Sequence, residues 1–424
     1  MKRTFDLLFS PQKGHPLPDK TVLLERIPAP LRELFKVEEW AQITELLKKD
    51  VSTDADVLYR QELFRDLLRW PELADRLFQI GEQSHRLWTV AEKETDPEGA
   101  GPEAALQALQ ATVVSLMEHL KFLKQLRKVF RDEELSSQGL LELQDWLEQI
   151  ADAPVFSELS REIAGIPLLS PETAQMELFL AVGPCGEICK ADLNSIGSGS
   201  RKPRKSLFSD GEKEIVWLAP EQTRFATDAL LNLNRKFQAL TKAIRDTFTR
   251  LNTAASFYRA GMRLVREGEQ RGLPICFALS TNGPLSALGV TDPACLKGTP
   301  LRQWDIRPLP LQLYAGPRAK TELNTAAVLL CLGSAGLPLL AKRAELPLTA
   351  RPTVFSSPDR PRPEEEIPAL SEMYYAAQKD ETLFLDEPLR SLAETEGAEL
   401  LKTLLQGLFR NGVWVFCATE LPLT

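Results

Sequence analysis

The chain has 424 residues, of which 43% are hydrophobic and 26% charged, and its formal net charge is −8. A chain of this length can hold two or three domains, and the composition is that of an ordinary soluble protein. The negative charge excludes a global attraction to nucleic acid or anionic membranes, although a local basic groove could still bind DNA. Only three histidines are present, which argues against a catalytic centre built on several of them.

The six cysteines are scattered, mostly among apolar residues, and the pair Cys185 and Cys189 has neither a second pair nor a nearby histidine. This pattern favours reduced, buried thiols over a zinc site. No apolar run approaches the ~20 residues of a transmembrane helix, and the N-terminus lacks the apolar core of a signal peptide. We therefore expect a cytoplasmic protein with no membrane partner.

Residues 1–166 are predicted to form an N-terminal helical region. The first 30 residues are rich in proline and are predicted to be irregular. From Leu34 to about Ile150, apolar residues recur every three or four positions, which is typical of helices with one buried face. The longest predicted helix in this region covers about residues 103–130, and another covers about 138–150.

Residues 167–219 are predicted to form a small β-rich insertion. Two strands are expected, at 177–182 and 212–218, and the connection between them contains a basic loop at Arg201–Lys205. This loop could contact phosphate groups of DNA. The alternative, a solvated loop, is favoured because no aromatic residues are interleaved with the basic ones.

Residues 220–272 are predicted to form one long returning helix. Apolar residues from Leu230 to Val265 follow a regular spacing of three and four, and no proline interrupts the stretch from about Glu221 to Gln270. At 1.5 Å per residue, such a helix would extend roughly 70 Å. It indicates an elongated, lever-like helical body.

Residues 273–424 change to short strands that alternate with helices. Strands are predicted at 308–315, 382–385 and 412–418, with a helix at 321–332 and a mobile loop at 356–366. Buried apolar strands that alternate with helices are typical of a mostly parallel α/β sheet.

Two segments of this last region carry candidate chemistry. The apolar run Thr382–Leu385 ends in Asp386 and Glu387, as expected of a buried strand that presents a Mg²⁺-binding acid and a water-activating acid. Gly316-Pro-Arg-Ala-Lys320-Thr321 stands at the start of a predicted helix, as a phosphate-binding P-loop would.

Together these segments resemble the ATPase domain of MutS-type proteins, which belong to the ABC class. The resemblance also covers Leu273-Pro-Ile, Gly333–Ala341 and Arg351–Phe355, in the family's order. It implies an α/β multidomain fold: an elongated α-helical lever region with a small β insertion, followed by a P-loop (ABC-type) α/β domain. It also implies that Gly316, Lys320 and Thr321 correspond to nucleotide-binding positions, and Asp386 to the Mg²⁺ position.

The resemblance is to a degenerate ATPase. The P-loop-like segment is two residues short, and Ala319 stands where the second glycine belongs. Glu420 stands where the family has a phosphate-sensing histidine, and a carboxylate there would repel phosphate. We therefore treat Asp386 and Glu387 as vestigial Walker-B acids and expect no efficient hydrolysis.

ATP and Mg²⁺ remain compatible with a site shared with a partner. Ser371 follows the predicted mobile loop and resembles the serine of the ABC signature, which acts on nucleotide held by the other subunit. The alternative is that Ser371 is an ordinary helix start.

Three functional hypotheses follow from these observations. The leading one is a non-hydrolysing subunit that pairs with an ATPase-active MutS-like partner. The resemblance implies that such a subunit is a reactivating or chaperone factor for an adenosylcobalamin-dependent amino-acid aminomutase, such as lysine aminomutase. The others are a structure-specific DNA-binding MutS-like protein and a slow stand-alone ATPase.

Overall fold

The computed structural model describes residues 6–91, 102–130, 134–151, 163–169, 174–182, 188–198, 213–218 and 224–423. The chain divides into two compact units. The first unit takes its described residues from 70–134 and 141–252, and the second consists of 6–69, 135–140 and 253–423. The predicted division at 166, 219 and 272 stays a prediction. Residues 6–69, predicted within the helical region, belong to the same compact unit as residues 253–423.

The N-terminal residues of the second unit are more regular than the proline content suggested. A 3₁₀ helix covers Thr21–Arg26, and three α-helices follow: α1 (Ala29–Arg32), α2 (Val37–Leu46) and α3 (Asp54–Arg69). The prediction of an irregular stretch over residues 1–30 was therefore wrong for Thr21–Arg26. Short 3₁₀ turns have no long periodic pattern, so the sequence gives little signal for them.

The helices predicted between residues 71 and 151 are α4 (Pro71–Ala91), α5 (Pro102–Val129) and α6 (Gln138–Ala151), and all but the first three residues of α6 belong to the first unit. The predicted apolar stripe of α5 is buried, as a packed helix face should be. Its members are Leu106, Leu109, Val113, Leu116 and Leu120.

The predicted insertion is a three-stranded antiparallel sheet of β1 (Ala174–Val182), β2 (Ile188–Ser198) and β3 (Lys213–Leu218) in the order β2-β1-β3. Two strands were predicted, and the third, β2, lies inside the segment that we expected to be a connection. Its residues mix polar and apolar types without an apolar run, and it pairs with β1 over almost its whole length. The basic loop Arg201–Lys205 and Cys185 lie outside the described residues.

The predicted long helix is confirmed as α7, which covers Arg224–Gln270 and has 47 residues. Its residues up to Asn252 belong to the first unit and those from Thr253 to the second. The C-terminal half of its apolar stripe is buried, which explains the regular spacing. The buried members in that half are Phe248, Leu251, Ala255, Tyr258, Met262 and Val265.

The rest of the second unit is built on two four-stranded sheets. One has the order β4-β8-β5-β6, from β4 (Leu279–Ser280), β5 (Ser286–Thr291), β6 (Gln303–Ile306) and β8 (Arg343–Leu346). Of its three strand pairs, only β4 with β8 is parallel. The prediction of a mostly parallel sheet therefore holds only for the other sheet.

That other sheet is parallel throughout, with the order β7-β11-β10-β9. Its strands are β7 (Leu311–Tyr314), β9 (Pro352–Ser356), β10 (Thr382–Asp386) and β11 (Trp414–Ala418). Three helices connect them: α8 (Ala319–Ala335), α9 (Pro363–Ala376) and α10 (Glu394–Arg410). Every residue of β10 and β11 is buried, as expected of central strands covered on both faces.

The predicted loop at 356–366 is shorter than expected, because α9 already begins at Pro363. Within the part of the chain that the structure describes, no helix is long and apolar enough to cross a membrane.

Candidate functional site

The two segments singled out in the sequence meet at one edge of the parallel sheet. Asp386 ends β10 and is level with Ala418 of β11, which is level with Tyr314 at the end of β7. The P-loop-like segment follows Tyr314 directly. Since the carboxyl ends of parallel strands share one edge, this edge is where an α/β sheet binds ligands.

Asp386 is paired with an arginine that the sequence analysis did not single out. One Nη of Arg26 lies 2.6 Å from Oδ2 of Asp386, and the two side chains are only 7% and 4% exposed. Arg26 is the last residue of the 3₁₀ helix Thr21–Arg26, so it reaches the end of β10 from the N-terminal part of the chain. A buried guanidinium and a buried carboxylate thus neutralise each other.

Three further oxygen atoms surround the same guanidinium. The Nη1 group lies 3.3 Å from Oδ1 of Asn324 in α8, and Nη2 lies 3.5 Å from the carbonyl oxygen of Phe355. Nη2 also donates to Oγ of Ser356 at the end of β9. We call these four residues, Asp386, Asn324, Phe355 and Ser356, the oxygen cage.

The P-loop-like segment forms a tight turn between β7 and α8. The N–H of Ala319 donates to the carbonyl of Gly316 at 3.0 Å, and Gly316 has a left-handed φ of 82°. Only residues 315–318 separate the two elements, so the backbone N–H groups cannot wrap a triphosphate. Gly316, Lys320 and Thr321 are all exposed.

Lys320 is directed to the acid that ends β10. Its Nζ lies 3.2 Å from Oδ2 of Asp386, with the lysine side chain 64% exposed. The predicted P-loop lysine and the predicted Mg²⁺ ligand are therefore brought together. Here they form an ion pair within the protein.

Glu387, the predicted water-activating acid, is oriented differently. Its carboxylate pairs with Arg390 at 2.7 Å, and its N–H donates to the carbonyl of Ala418 at 2.8 Å. Its φ of 51° is left-handed, a conformation that few residues other than glycine adopt. The two adjacent acids thus pair with different basic residues, Asp386 with Arg26 and Lys320, and Glu387 with Arg390.

These residues do not fit a bound Mg²⁺ ion. Oδ2 of Asp386 already faces two cationic side chains, which would repel a divalent ion, and Glu387 is engaged by Arg390. Among the described residues, no group of three or more acids, histidines or cysteines could hold a metal ion.

Burial makes the neighbouring thiol unreactive. Cys417 lies in β11 and pairs with Leu385 of β10. Burial, and to a smaller extent the charge of Asp386, raises the pKa of the Cys417 thiol to about 12. Because thiolate is the nucleophilic form, Cys417 is a structural residue at neutral pH.

A buried glutamate holds the turn that follows Asp386. Glu366 of α9 accepts hydrogen bonds from the N–H groups of Leu389 at 2.9 Å and Ser391 at 3.0 Å. Leu389, like Glu387, has a left-handed φ, here 63°. The carboxylate therefore stabilises an unusual backbone conformation and connects α9 to the end of β10.

Replacing Glu366 by Ala is expected to lower the free energy of unfolding by about 2–3 kcal/mol, because the buried N–H of Leu389 and the partly buried N–H of Ser391 lose a charged acceptor. Chemical denaturation would measure this change. Glu365→Ala is the matched control, since the Glu365 side chain is 66% exposed. Equal losses in both variants would contradict this role of Glu366.

The remaining predicted positions, Ser371 and Glu420, are both exposed. Ser371 is exposed and lies inside α9, eight residues after its first residue, so the alternative that it starts a helix was wrong. Its predicted role toward a partner's nucleotide stays a prediction. Glu420 is exposed just after β11.

Sequence reasoning missed Arg26, Asn324 and Glu366. Arg26 stands in a proline-rich stretch and lies 360 residues from its partner, so no local pattern connects the two. Glu366 is one of three consecutive glutamates at the start of α9, and only the structure shows which of them is buried.

Part of the chain matches a known protein family. The model of the MutS2 N-terminal domain matches residues 52–184. No curated protein matches the chain. The matched stretch begins just before α3 and ends after β1, so it does not include the oxygen cage. It supports a MutS-related protein.

Proposed function

We propose that this chain is a non-hydrolysing MutS-related subunit that pairs with an ATPase-active MutS-like partner. The observation that carries the proposal is the ion pair of Arg26 with Asp386. An arginine of the same chain takes the position that a catalytic Mg²⁺ would need. The MutS2 N-terminal match supports the relationship, and the sheet edge with its two motif-like segments supports a degenerate P-loop domain.

The chemistry of phosphoryl transfer explains why this arrangement is inactive. Hydrolysis relies on a metal that bridges the β- and γ-phosphates, a loop that cradles them and a positioned water. In this chain Asp386 binds Arg26, the loop is a tight turn, and Glu387 binds Arg390. Restoring activity would require changes at all three places.

The partner and the client are proposed from the resemblance. A subunit without hydrolysis still contributes surfaces to a composite ATPase, and nucleotide could bind where the exposed Ser371 meets the partner. The proposed client is an adenosylcobalamin-dependent amino-acid aminomutase, for which the pair would act as a reactivating factor.

The proposal is tested by purifying a tagged full-length chain from its host and identifying the proteins that bind it. We expect a MutS-like ATPase, and phosphate release by the complex that is unchanged by Glu387→Gln in this chain. Glu394→Gln is the control, because Glu394 is an exposed residue of α10.

Two outcomes would contradict the proposal. One is phosphate release by this chain alone that Glu387→Gln abolishes, as a stand-alone ATPase requires. The other is tight, salt-sensitive DNA binding by this chain in a filter-binding assay at low and moderate salt, as a DNA-binding protein requires.

A further inference from the structure

The oxygen cage has the donor set of a cation site. It offers one carboxylate, one side-chain amide oxygen, one hydroxyl and one backbone carbonyl, contributed by β10, α8 and β9. Oxygen atoms of these kinds bind cations, and here all four face one guanidinium group. Both Nη groups of Arg26 are used, Nη1 toward Asp386 and Asn324, and Nη2 toward Phe355 and Ser356.

One atom of the cage has unused hydrogen-bonding capacity. Oδ1 of Asp386 is buried and has no hydrogen-bond partner, although Oδ2 of the same carboxylate contacts two cations. A buried carboxylate oxygen without a donor is costly, so the site has an acceptor left for a ligand that brings a further N–H group. A planar guanidinium provides several N–H groups in a fixed fork.

We propose that Arg26 is a tethered cation in a guanidinium-binding site, and that this site binds a free guanidinium-type ion once the side chain of Arg26 is removed. The occupant and the site belong to one chain, so the sheet edge is filled whatever solutes surround the protein.

The charge of the cage favours a monovalent occupant over a divalent metal. Asp386 supplies its one negative charge, and the ammonium group of Lys320 lies 3.2 Å from the same oxygen. Because the ammonium group of Lys320 is already present, a divalent ion would leave a larger excess of positive charge at this carboxylate than a guanidinium does. The inference concerns what fills the site and does not rest on the identity of the partner or the client.

The test is chemical rescue of full-length Arg26→Ala. Thermal unfolding is followed with increasing millimolar methylguanidinium at constant ionic strength. Methylammonium is the control of equal charge, and MgCl₂ is the divalent control. We expect Arg26→Ala to have a lower Tm than the unsubstituted chain, and methylguanidinium alone to raise it progressively, because a ligand that binds only the folded state stabilises it.

Two variants show whether the effect belongs to the cage. The unsubstituted chain should not respond, since Arg26 fills the site, and Arg26→Ala combined with Asp386→Asn should not respond, since the carboxylate is absent. If Arg26→Ala does not fold by itself, the same series is followed as the yield of folded protein on refolding with each ion.

The proposal would be overturned by the absence of rescue in both forms of the experiment. It would equally be overturned by rescue that methylammonium or MgCl₂ reproduces, or by rescue that persists without the carboxylate of Asp386. ATP hydrolysis by this chain would contradict the proposed function. It would not change what the rescue experiment shows about the oxygen cage.

Discussion

Arg26→Met and Asp386→Asn are each expected to lower the free energy of unfolding by about 3–5 kcal/mol, because each leaves the other side chain buried without its partner. The pair is close, at 2.6 Å, and both side chains are less than a tenth exposed. Arg26 is also the contact that joins the 3₁₀ helix Thr21–Arg26 to the end of β10. Urea unfolding of the full chain measures the loss.

The double variant Arg26→Met/Asp386→Asn shows whether the two losses of stability come from one shared ion pair or from two independent effects. Once either partner is removed, removing the second should cost much less, so the two losses should not add. Lys320→Met is the control: its amine also approaches Asp386, but its side chain is 64% exposed, so a loss of at most about 1 kcal/mol is expected. Additive losses, or a Lys320→Met effect as large as that of Arg26→Met, would contradict the account.

Lys20→Met is expected to make the protein more stable at neutral pH. Lys20 is 1% exposed, and its Nζ donates one hydrogen bond, to the carbonyl of Ala350 at 2.7 Å. Burial lowers the pKa of the Lys20 amine from its ordinary 10.5 to about 7, with the nearby Cys331 as a smaller, opposing influence. Folding therefore favours the neutral amine. The difference corresponds to a penalty of about 5 kcal/mol at low pH.

The sign of the pH dependence follows from proton binding. Between about pH 7 and pH 10 the unfolded chain binds the Lys20 proton and the folded chain releases it, so this residue makes stability rise with pH. Below pH 7 both states are protonated and the penalty is constant. Lys20→Met removes the penalty and should flatten the stability profile over this window.

Denaturation at several pH values checks this prediction. The matched control is Lys48→Met, because Lys48 is 53% exposed and its ion-pair partner Glu45 is also exposed. It should leave both stability and its pH dependence nearly unchanged. A Lys20→Met variant that is less stable than the unsubstituted chain at pH 7, or that keeps the same slope, would show that Lys20 is a stabilising cation.

The parts of the fold that the sequence predicted well are those with long, regular apolar patterns. α7 follows from its 3-4 spacing, and β10 and β11 follow from apolar runs that are buried on both faces. β2 was missed because its residues have no such pattern and it exists through pairing with β1. Periodicity reports burial of one face, not backbone pairing between distant strands.

The candidate site was predicted only in part for a similar reason. Asp386, Glu387 and the segment from Gly316 to Thr321 stand in recognisable local motifs, and the structure places Lys320 beside Asp386. The residues that decide what the site can bind, Arg26 and Asn324, come from other parts of the chain. Their contacts depend on tertiary structure, which no local spacing encodes.

We propose that this sheet edge holds the chain's own arginine in place of a nucleotide and its metal. Calorimetric titration of the purified, full-length chain with ATP in the presence of Mg²⁺ tests this proposal. We expect no binding by the chain alone up to millimolar ATP. Micromolar binding that requires Mg²⁺ and is lost in Asp386→Asn would contradict it.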